Sequence, residues 1–365
     1  MGFRERRPTA VAYEDGRAPG GRRTDGGCGA EGADPLGAAE EAGRSPRPRL
    51  GRPRLGRLCR TLLAVLVMGA VVVPLSAAAR PRIPAPPPAA LAPLSVATLT
   101  ETYAANRANA AEASRMAAAH GARDRAAADR AMASPSRDFL AFDGRGTGRA
   151  TEVFGDLATA EHIAVLVPGS DTTLDTYGRF RAGALALHRS TGPRTAVIAW
   201  LGYDTPRTLG TGALTTTRAE EAAPLLERFI RELRGAVGLL PGVSLLCHSY
   251  GTVVCARAAA AVDVQDVVLV GSPGTGVDSA SALHTRARVW AARGADDWIA
   301  EVPHLRADLF GTTVGFGTDP VSPAYGARVF AAGGGGHSDY FKPGSASLAN
   351  LSRIVLGATS EVTRA

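Results

Sequence analysis

The clearest chemical signal in this sequence is a serine at the end of an apolar run. Residues 243–251 read VSLLCHSYG, and an alanine-rich stretch follows at residues 252–262. This pattern predicts a strand, a sharp turn and a helix, with Ser249 at the turn. Such a turn lifts one hydroxyl out of a sheet, where the serine can act as a nucleophile if a base reaches it.

A serine hydroxyl is a weak nucleophile at neutral pH and needs a histidine to take its proton and a carboxylate to orient that histidine. In a strand-turn-helix context the expected chain order is serine, acid, histidine. Among seven histidines, His337 fits this order because it follows a predicted strand and a glycine-rich loop in GGGGHSDYF. The other six come before Ser249, before the best acid or too soon after it: His120, His162, His188, His248, His284 and His304. His248 is expected to point away from the hydroxyl, and a plain surface-loop role for His337 stays open.

Asp297 is the best candidate for the acid. It lies in VWAARGADDWIAEVP, just after the predicted strand at residues 287–291. Its neighbour Asp296 is expected to point elsewhere, since one of two adjacent aspartates is typically a turn residue. Asp296 remains an alternative acid, as does Asp278, which follows the preceding strand in VGSPGTGVD.

Negative charge that develops on a substrate oxygen requires preorganised N–H donors. The backbone N–H of Tyr250 is the first candidate for this oxyanion hole, because it lies at a predicted helix N-terminus directly after the serine. The second is the N–H of Ser170 in the loop at residues 168–171, where Gly169 lets the backbone approach closely. Asp171 is an alternative donor, and an ordinary strand-to-helix turn is the competing interpretation of this loop.

Composition argues against several other functions. The formal net charge is +7, but residues 1–80 contain fourteen arginines against eight acidic residues, so the remaining chain is nearly neutral. A nucleic-acid-binding surface needs a basic face on the folded part, and none is expected. The sequence has no His-x-x-x-His pair, no paired-cysteine ligand set and no glycine-rich nucleotide loop, so neither a metal nor a cofactor is predicted. It gives no indication of an oligomeric state.

The four cysteines of the chain are Cys28, Cys59, Cys247 and Cys255. The second pair falls at the end of a predicted strand and two turns into the following helix. Four such cysteines are too few and too poorly placed for a disulfide framework. Cys247 and Cys255 are therefore predicted to be small buried thiols.

The front of the chain is typical of a leader followed by a targeting segment. Residues 1–60 are rich in Gly, Pro and Arg without apolar periodicity and are predicted to be disordered. Six arginines from Arg47 to Arg60 precede the apolar residues 61–79, which end in Ser-Ala-Ala-Ala as a secretory signal sequence does. The long leader indicates either a downstream start codon or an uncleaved signal anchor, and a buried core helix is a further alternative. If residues 61–79 stay uncleaved, membrane contact is expected through them alone, and the protein is expected to be secreted or in the cell envelope.

The rest of the chain divides by pattern. Residues 80–94 form a Pro-rich linker, and residues 95–135 predict one or two accessory helices, broken near Gly121 and weakly packed because their apolar content is mostly alanine. Residues 138–365 are the predicted main domain, where continuous apolar runs such as residues 163–167 are typical of strands buried on both faces.

Short strands alternate with helices throughout this main domain. The predicted strands cover residues 139–142, 151–155, 162–167, 195–200, 243–247, 266–270, 287–291 and 327–330, and the predicted helices cover residues 174–188, 217–233, 252–262 and 345–356. The alternation predicts an α/β fold with a mostly parallel central sheet and helices on both faces, preceded by the helical segment.

Five segments taken together resemble the α/β-hydrolase superfamily, and more narrowly a bacterial α/β-hydrolase family catalogued as a domain of unknown function. They are VLVPGSDTTLDTY, LLCHSYGTVV, VLVGSPGTGVD, RGADDWI and GGGHSDYF, in this order within residues 138–357. The resemblance implies the α/β-hydrolase fold, with Ser249 as nucleophile, Asp297 as acid and His337 as base. Two positions depart from the usual pattern. Cys247 stands two residues before the serine, where glycine is usual, and Pro-Gly at residues 168–169 stands where His-Gly is common.

We therefore expect a serine hydrolase outside the cytoplasm that cleaves small-molecule or lipid-like carboxylic esters through an acyl-enzyme. The alternatives are an acyltransferase that uses the same three residues and a non-catalytic envelope scaffold that retains the fold. Residues 200–217 and 300–324 are the insertions able to cover the site, with Phe310, Phe316 and Trp298 as its lining. Neither insertion amounts to a lid domain, so an open, modest pocket for short-chain or surface-presented esters is predicted.

Overall fold

The computed structural model describes residues 83–302, 304, 306–309 and 312–365. Its strands in chain order are β1 (Asp138–Asp143), β2 (Arg149–Phe154), β3 (His162–Val167), β4 (Thr195–Leu201), β5 (Gly242–His248), β6 (Asp266–Val270), β7 (Arg288–Ala292), β8 (Arg306–Leu309), β9 (Thr312–Gly315) and β10 (Arg328–Val329). Eight of them form one sheet in the order β1-β2-β4-β3-β5-β6-β7-β10. The β1–β2 and β2–β4 pairs are antiparallel, and every other neighbouring pair in this sheet is parallel.

Helices cover both faces of the sheet. In the described part of the chain they are α1 (Leu99–Ala119), α2 (Arg123–Met132), α3 (Tyr177–Thr191), α4 (Thr217–Val237), α5 (Gly251–Ala258) and α6 (Ala346–Val355). Helices α4 and α5 share a core with one face, and α1, α3 and α6 share a core with the other. In β3, Ile163 and Val165 join the first core while Ala164 and Leu166 join the second, which is why this strand is apolar throughout. The predicted fold class is confirmed.

The helical segment before the sheet packs closely, which corrects the expectation of a weakly packed element. Ala110, Ala113 and Ala117 of α1 are fully buried, and the first two belong to the core that covers one face of the sheet. Asn106 donates from Nδ2 to the backbone carbonyl of Phe139 in β1 at 2.9 Å. The alanines allow this approach because their small side chains let the helix lie near the strand. Alanine-rich sequence here therefore indicates close packing of α1 against β1.

Helix α2 is tied to the loop that follows β3 by the buried side chain of Arg125. Nε and Nη2 of Arg125 lie 2.6 and 2.9 Å from the two carboxylate oxygens of Asp175, and Nη1 donates to the carbonyl of Gly144 at 3.0 Å. A bidentate pair of this kind fixes orientation as well as distance. The helical segment therefore helps to position the loop at residues 168–176.

A small hairpin within residues 300–324 was not predicted. Strands β8 and β9, which come between β7 and β10 in chain order, pair antiparallel and form a separate two-stranded sheet. Their sequences, RADL and TTVG, are too short to show a clear alternation of apolar and polar residues. The eight strands of the main sheet, in contrast, each overlap a predicted strand.

Part of the predicted organisation lies outside the described residues. The leader at residues 1–60 and the apolar segment at residues 61–79 are both outside, so these predictions stay predictions. Residues 83–94 of the Pro-rich linker form neither helix nor strand. Among the described residues, no helix combines the length and apolar character needed to cross a bilayer.

Cys247 and Cys255 form a disulfide, so the prediction of two buried thiols is wrong. Their Cα atoms are 6.4 Å apart, and neither residue is exposed. The bond joins the end of β5 to α5 across the turn that carries Ser249. A separation of eight residues suggested no framework, but the sharp turn sends the helix back beside its strand and brings the two side chains within bonding reach.

Removing this bond is expected to destabilise the fold. The double substitution Cys247→Ala and Cys255→Ala should lower the free energy of unfolding by about 2–3 kcal/mol, because the bond restricts a short loop of the unfolded chain. Urea unfolding with and without dithiothreitol measures the effect. The reductant should destabilise the wild type by a similar amount and leave the double variant unchanged, and equal stability in all four samples would contradict the assignment.

Candidate active site

The turn between β5 and α5 holds Ser249 in a left-handed backbone conformation, with φ at 55°. This conformation is unfavourable for any residue with a Cβ atom, so the surroundings must enforce it. The N–H of Ser249 donates to the carbonyl of Val270 in the adjacent strand at 3.0 Å. A Cβ atom on Gly169 would lie 2.5 Å from the Cβ of Ser249, and one on Gly251 would lie 2.6 Å from the carbonyl oxygen of Val167. Glycine at both positions therefore lets the end of β3 approach the serine.

Ser249, His337 and Asp297 come together at one edge of the sheet. Nε2 of His337 lies 2.9 Å from Oγ of Ser249, and Nδ1 of His337 lies 2.8 and 3.1 Å from the two carboxylate oxygens of Asp297. The three residues follow β5, β10 and β7, whose carboxyl ends meet at the same edge because these strands are parallel. The arrangement allows the hydroxyl proton to move to the imidazole while the carboxylate holds its tautomer.

Asp297 supplies the carboxylate bonded to His337, whereas the two alternative acids lie elsewhere. Asp296 is exposed to solvent, and Asp278 lies beside Gly317, where an added Cβ atom would be 2.9 Å from Oδ1. Asp297 itself is only 2% exposed, and it caps the short 3-10 helix Trp298–Glu301. Burial and capping together fix the carboxylate in one orientation toward the histidine.

Tyr340 was not predicted as a site residue, and it stabilises the charged form of Asp297. Its hydroxyl donates to Oδ2 of Asp297 and accepts the N–H of Gly294 at 3.0 Å. Burial raises the pKa of the Asp297 carboxyl, but hydrogen bonds from His337, from Tyr340 and from the N–H of Ile299 outweigh it, so the net pKa is lowered. Burial also raises the pKa of Tyr340, which keeps its hydroxyl protonated as a donor. No spacing pattern in the sequence marks Tyr340 as a partner of Asp297, which lies 43 positions away.

His248 also has a contact that sequence reasoning missed. Its Nε2 donates to the backbone carbonyl of His337 at 2.7 Å, and the two ring centroids are 4.8 Å apart. Burial and the nearby imidazole of His337 lower the pKa of His248 to about 4. The ring is therefore neutral at pH 7, and it fastens the loop that carries His337 through a hydrogen bond to its backbone.

The two predicted oxyanion donors are both unengaged. Among the described residues, the N–H groups of Tyr250 and Ser170 have no hydrogen-bond acceptor. The N–H of Asp171, the alternative donor, is used on the carbonyl of Pro206 at 2.9 Å. Since the neighbouring Gly169 lies against Ser249, this loop holds the N–H of Ser170 next to the turn.

Of the aromatic residues predicted to line the site, one lies at the surface and one in the core. The ring of Trp298 lies 4.7 Å from that of His337, centroid to centroid, and the residue is 49% exposed. Phe316, which was expected to line the site, is buried instead and packs edge-on against Tyr250 at 5.8 Å. Phe310 lies outside the described residues. Trp298 thus forms part of the rim of the site, and Phe316 packs against Tyr250 in the turn that carries Ser249.

Cavities of about 350 and 280 Å³ lie beside the N-terminus of α1 and between β4 and α4, away from Ser249. In the described part of the chain, no group of three or more His, Cys, Asp or Glu side chains is arranged to hold a metal ion.

Comparison with known proteins finds similarities for the central part of the chain. Residues 143–307 match the family described as "Alpha/beta hydrolase". An uncharacterized protein of Mycobacterium tuberculosis is 30% identical over 263 residues, which make up 60% of this chain and 38% of that protein. An uncharacterized protein of Mycobacterium bovis is 32% identical over 176 residues, or 44% of this chain and 66% of that protein. The chain thus spans 38% of the length of the first of these relatives.

Solved structures with a similar chain course include two hydrolases. The crystal structure of esterase PE8 is 17% identical, with a TM-score of 0.37, and the match covers 56% of this chain and 96% of that one. An α/β serine hydrolase without a lid from Xanthomonas campestris is 16% identical, with a TM-score of 0.38, and the match covers 62% of this chain and 95% of that one.

The strain at Ser249 predicts an unusual stability order. Ser249→Gly is expected to be about 1 kcal/mol more stable than Ser249→Ala, because glycine adopts a positive φ without a Cβ clash. Urea unfolding of both variants measures the difference. The matched pair Ser136→Gly and Ser136→Ala, at an exposed residue without a positive φ, should show no gain for glycine. A glycine variant at residue 249 no more stable than its alanine counterpart would contradict the argument.

The lowered pKa of His248 predicts a dependence of stability on pH. The pKa of His248 is about 4 in the folded protein, whereas in the unfolded chain it returns to the ordinary histidine value of 6.5. Between these values the unfolded state binds more protons, so lowering the pH through this window destabilises the fold. The variant His248→Asn, titrated by urea unfolding from pH 7 to pH 4, should lose less stability than the wild type. Parallel curves for the two proteins would show that His248 does not titrate as described.

Proposed function

We propose that this chain, whose residues 143–307 match the α/β-hydrolase family model, is a serine hydrolase that cleaves carboxylic esters. The supporting observation is the continuous chain of hydrogen bonds from Oγ of Ser249 through the ring of His337 to Asp297. In this assignment Ser249 is the nucleophile, His337 the general base and acid, and Asp297 the residue that orients the imidazole.

The proposed reaction begins with attack by Oγ of Ser249 on the ester carbonyl carbon. The hydroxyl proton passes to Nε2 of His337, and Asp297 stabilises the imidazolium that results. The carbonyl oxygen becomes an oxyanion and accepts hydrogen bonds from the N–H groups of Tyr250 and Ser170. Collapse of this intermediate breaks the bond to the alcohol, which leaves with the proton from His337. Water then attacks the acyl-enzyme by the same route, and the carboxylic acid is released.

Two further residues would act through the histidine without touching the substrate. Tyr340 would keep Asp297 ionised, which maintains the attraction to the imidazolium that forms during the reaction. His248 would hold the backbone of His337, so that Nε2 stays near the serine hydroxyl. Small losses of such alignment are costly, since a misplacement of about 1 Å lowers rates by about a hundredfold.

Ester hydrolysis is favoured over other chemistries by the superfamily resemblance. Acyl transfer to an alcohol other than water uses the same acyl-enzyme, and it is retained as the alternative activity. A non-catalytic envelope scaffold is disfavoured, because a scaffold needs neither a serine held at a strained turn nor a histidine and an aspartate in hydrogen-bond contact with it.

We place the protein outside the cytoplasm, secreted or in the cell envelope. The apolar residues 61–79, with their basic flank, support this location through their signal-like pattern. The disulfide between Cys247 and Cys255 also supports it, because structural disulfides persist mainly in oxidising compartments.

Covalent labelling tests the nucleophile directly. A fluorophosphonate probe should label the full-length wild type and fail to label Ser249→Ala, because the probe reacts with an activated serine hydroxyl. Ser136→Ala, which removes an exposed serine elsewhere, serves as the matched control and should be labelled normally. Circular dichroism confirms that each variant is folded. A folded wild type that takes no label would overturn the proposal and favour the scaffold alternative.

A further inference from the structure

Two segments border Ser249 at the carboxyl edge of the sheet. Residues 203–215 follow β4, and Trp298 follows β7. In the sheet order β4-β3-β5-β6-β7, the strand that carries Ser249 lies between these two strands. The four pairings that connect them are parallel, so the loops after β4 and β7 lie on either side of the serine at one edge.

The loop at residues 203–215, called the strap below, is bound to the site at both ends. At its start, the hydroxyl of Tyr203 donates to the carbonyl of Pro168 at 2.7 Å. At its end, the carbonyl of Thr215 accepts the hydroxyl of Tyr250 at 2.7 Å. Pro168 lies two residues before Ser170, and Tyr250 is itself a proposed oxyanion donor, so the strap is fixed next to the reacting atoms.

The middle of the strap is also tied down, through Asp171. The carbonyl of Pro206 accepts the N–H of Asp171 at 2.9 Å, and the N–H of Thr208 donates to the carboxylate of Asp171 at 3.2 Å. Thr205 adds a hydrogen bond from its hydroxyl to the carbonyl of Thr172 at 2.8 Å. The strap therefore has a defined course over the loop that follows β3.

The strap nevertheless presents leucines to solvent. Leu209 is 102% exposed and Leu214 is 55% exposed, and Trp298 across the site is 49% exposed. Scattered apolar residues on a surface are ordinary, but a group around a proposed nucleophile indicates contact with an apolar partner. That partner must also bring an ester to Ser249.

We infer that Leu209, Leu214 and Trp298 form a surface that inserts among the acyl chains of a lipid layer and so presents an acyl ester to Ser249. This inference rests on the proposed function for the ester, while the insertion itself needs no catalysis. A lipid layer matches the arrangement because it offers both an extended apolar surface for the leucines and ester bonds near that surface. A soluble short-chain ester, in contrast, would leave Leu209 in water.

Fluorescence of Trp298 provides a direct probe of insertion. The other two tryptophans, Trp200 and Trp290, are 3% and 5% exposed, so a quencher in lipid reaches Trp298 in preference to them. Full-length Ser249→Ala is mixed with phosphatidylcholine vesicles whose acyl chains are brominated. We expect the fluorescence to be quenched relative to unbrominated vesicles, and Trp298→Phe to remove that quenching.

A matched pair of variants tests the role of the leucines. Leu209→Ser with Leu214→Ser should weaken the vesicle affinity measured by quenching by at least about tenfold, since burial of one leucine is worth about a factor of ten or more. Leu239→Ser with Leu240→Ser is the control, because these leucines are 79% and 98% exposed but precede β5, at the opposite edge of the sheet. The control should be quenched as strongly as its parent.

The outcomes separate this inference from the proposed function. Quenching that disappears with the strap variants and persists in the control supports lipid insertion, whatever the labelling experiment shows. Absent quenching in the parent protein, or equal loss in both leucine pairs, would overturn the inference. Fluorophosphonate labelling of Ser249 would then still stand on its own as evidence for a hydrolase acting on soluble esters.

Discussion

The left-handed backbone at Ser249 is the constraint on which the rest of the site depends. A residue with a Cβ atom does not hold this conformation unless its neighbours over-determine it. Here Gly169 and Gly251 let the end of β3 pack against the turn, and the disulfide from Cys247 to Cys255 ties the strand to the helix that follows. The strained turn is thus fastened on both of its flanks, and the serine hydroxyl is held in front of His337.

The features that depend on local sequence pattern, namely the strands and the order of the three site residues, could mostly be predicted from the sequence. Continuous apolar runs located the parallel strands, because a strand buried on both faces has no polar side to show. The order of serine, acid and histidine then selected three residues, and parallel strands bring them to one edge in the structure. What made this possible is that strand direction converts positions far apart in sequence into one predictable location in space.

The features that escaped prediction depend on contacts between distant segments. His248 bonds the carbonyl of a residue 89 positions away, and Tyr340 bonds a carboxylate 43 positions away. Neither residue type carries a spacing signal for such a contact. The disulfide escaped for a related reason, since its two cysteines come together only once the turn has reversed the chain. The packing of helix α1 was also missed. Its many alanines suggested a weakly packed helix, but in the structure their small side chains are buried and let the helix lie close to the sheet.

The strap shows how one segment can serve both the reacting atoms and the surface. Its ends and its middle are hydrogen-bonded to the loop that follows β3 and to Tyr250, while its leucines lie outside the core. Full exposure of Leu209 opposes solubility, and a flexible loop would be able to turn that side chain inward. The hydrogen bonds of Asp171 oppose such a rearrangement, because they hold Pro206 and Thr208, and Thr208 directly precedes Leu209. The exposure is therefore a consequence of the same contacts that position the proposed oxyanion donors, and the geometry of the site and the character of its rim are set together.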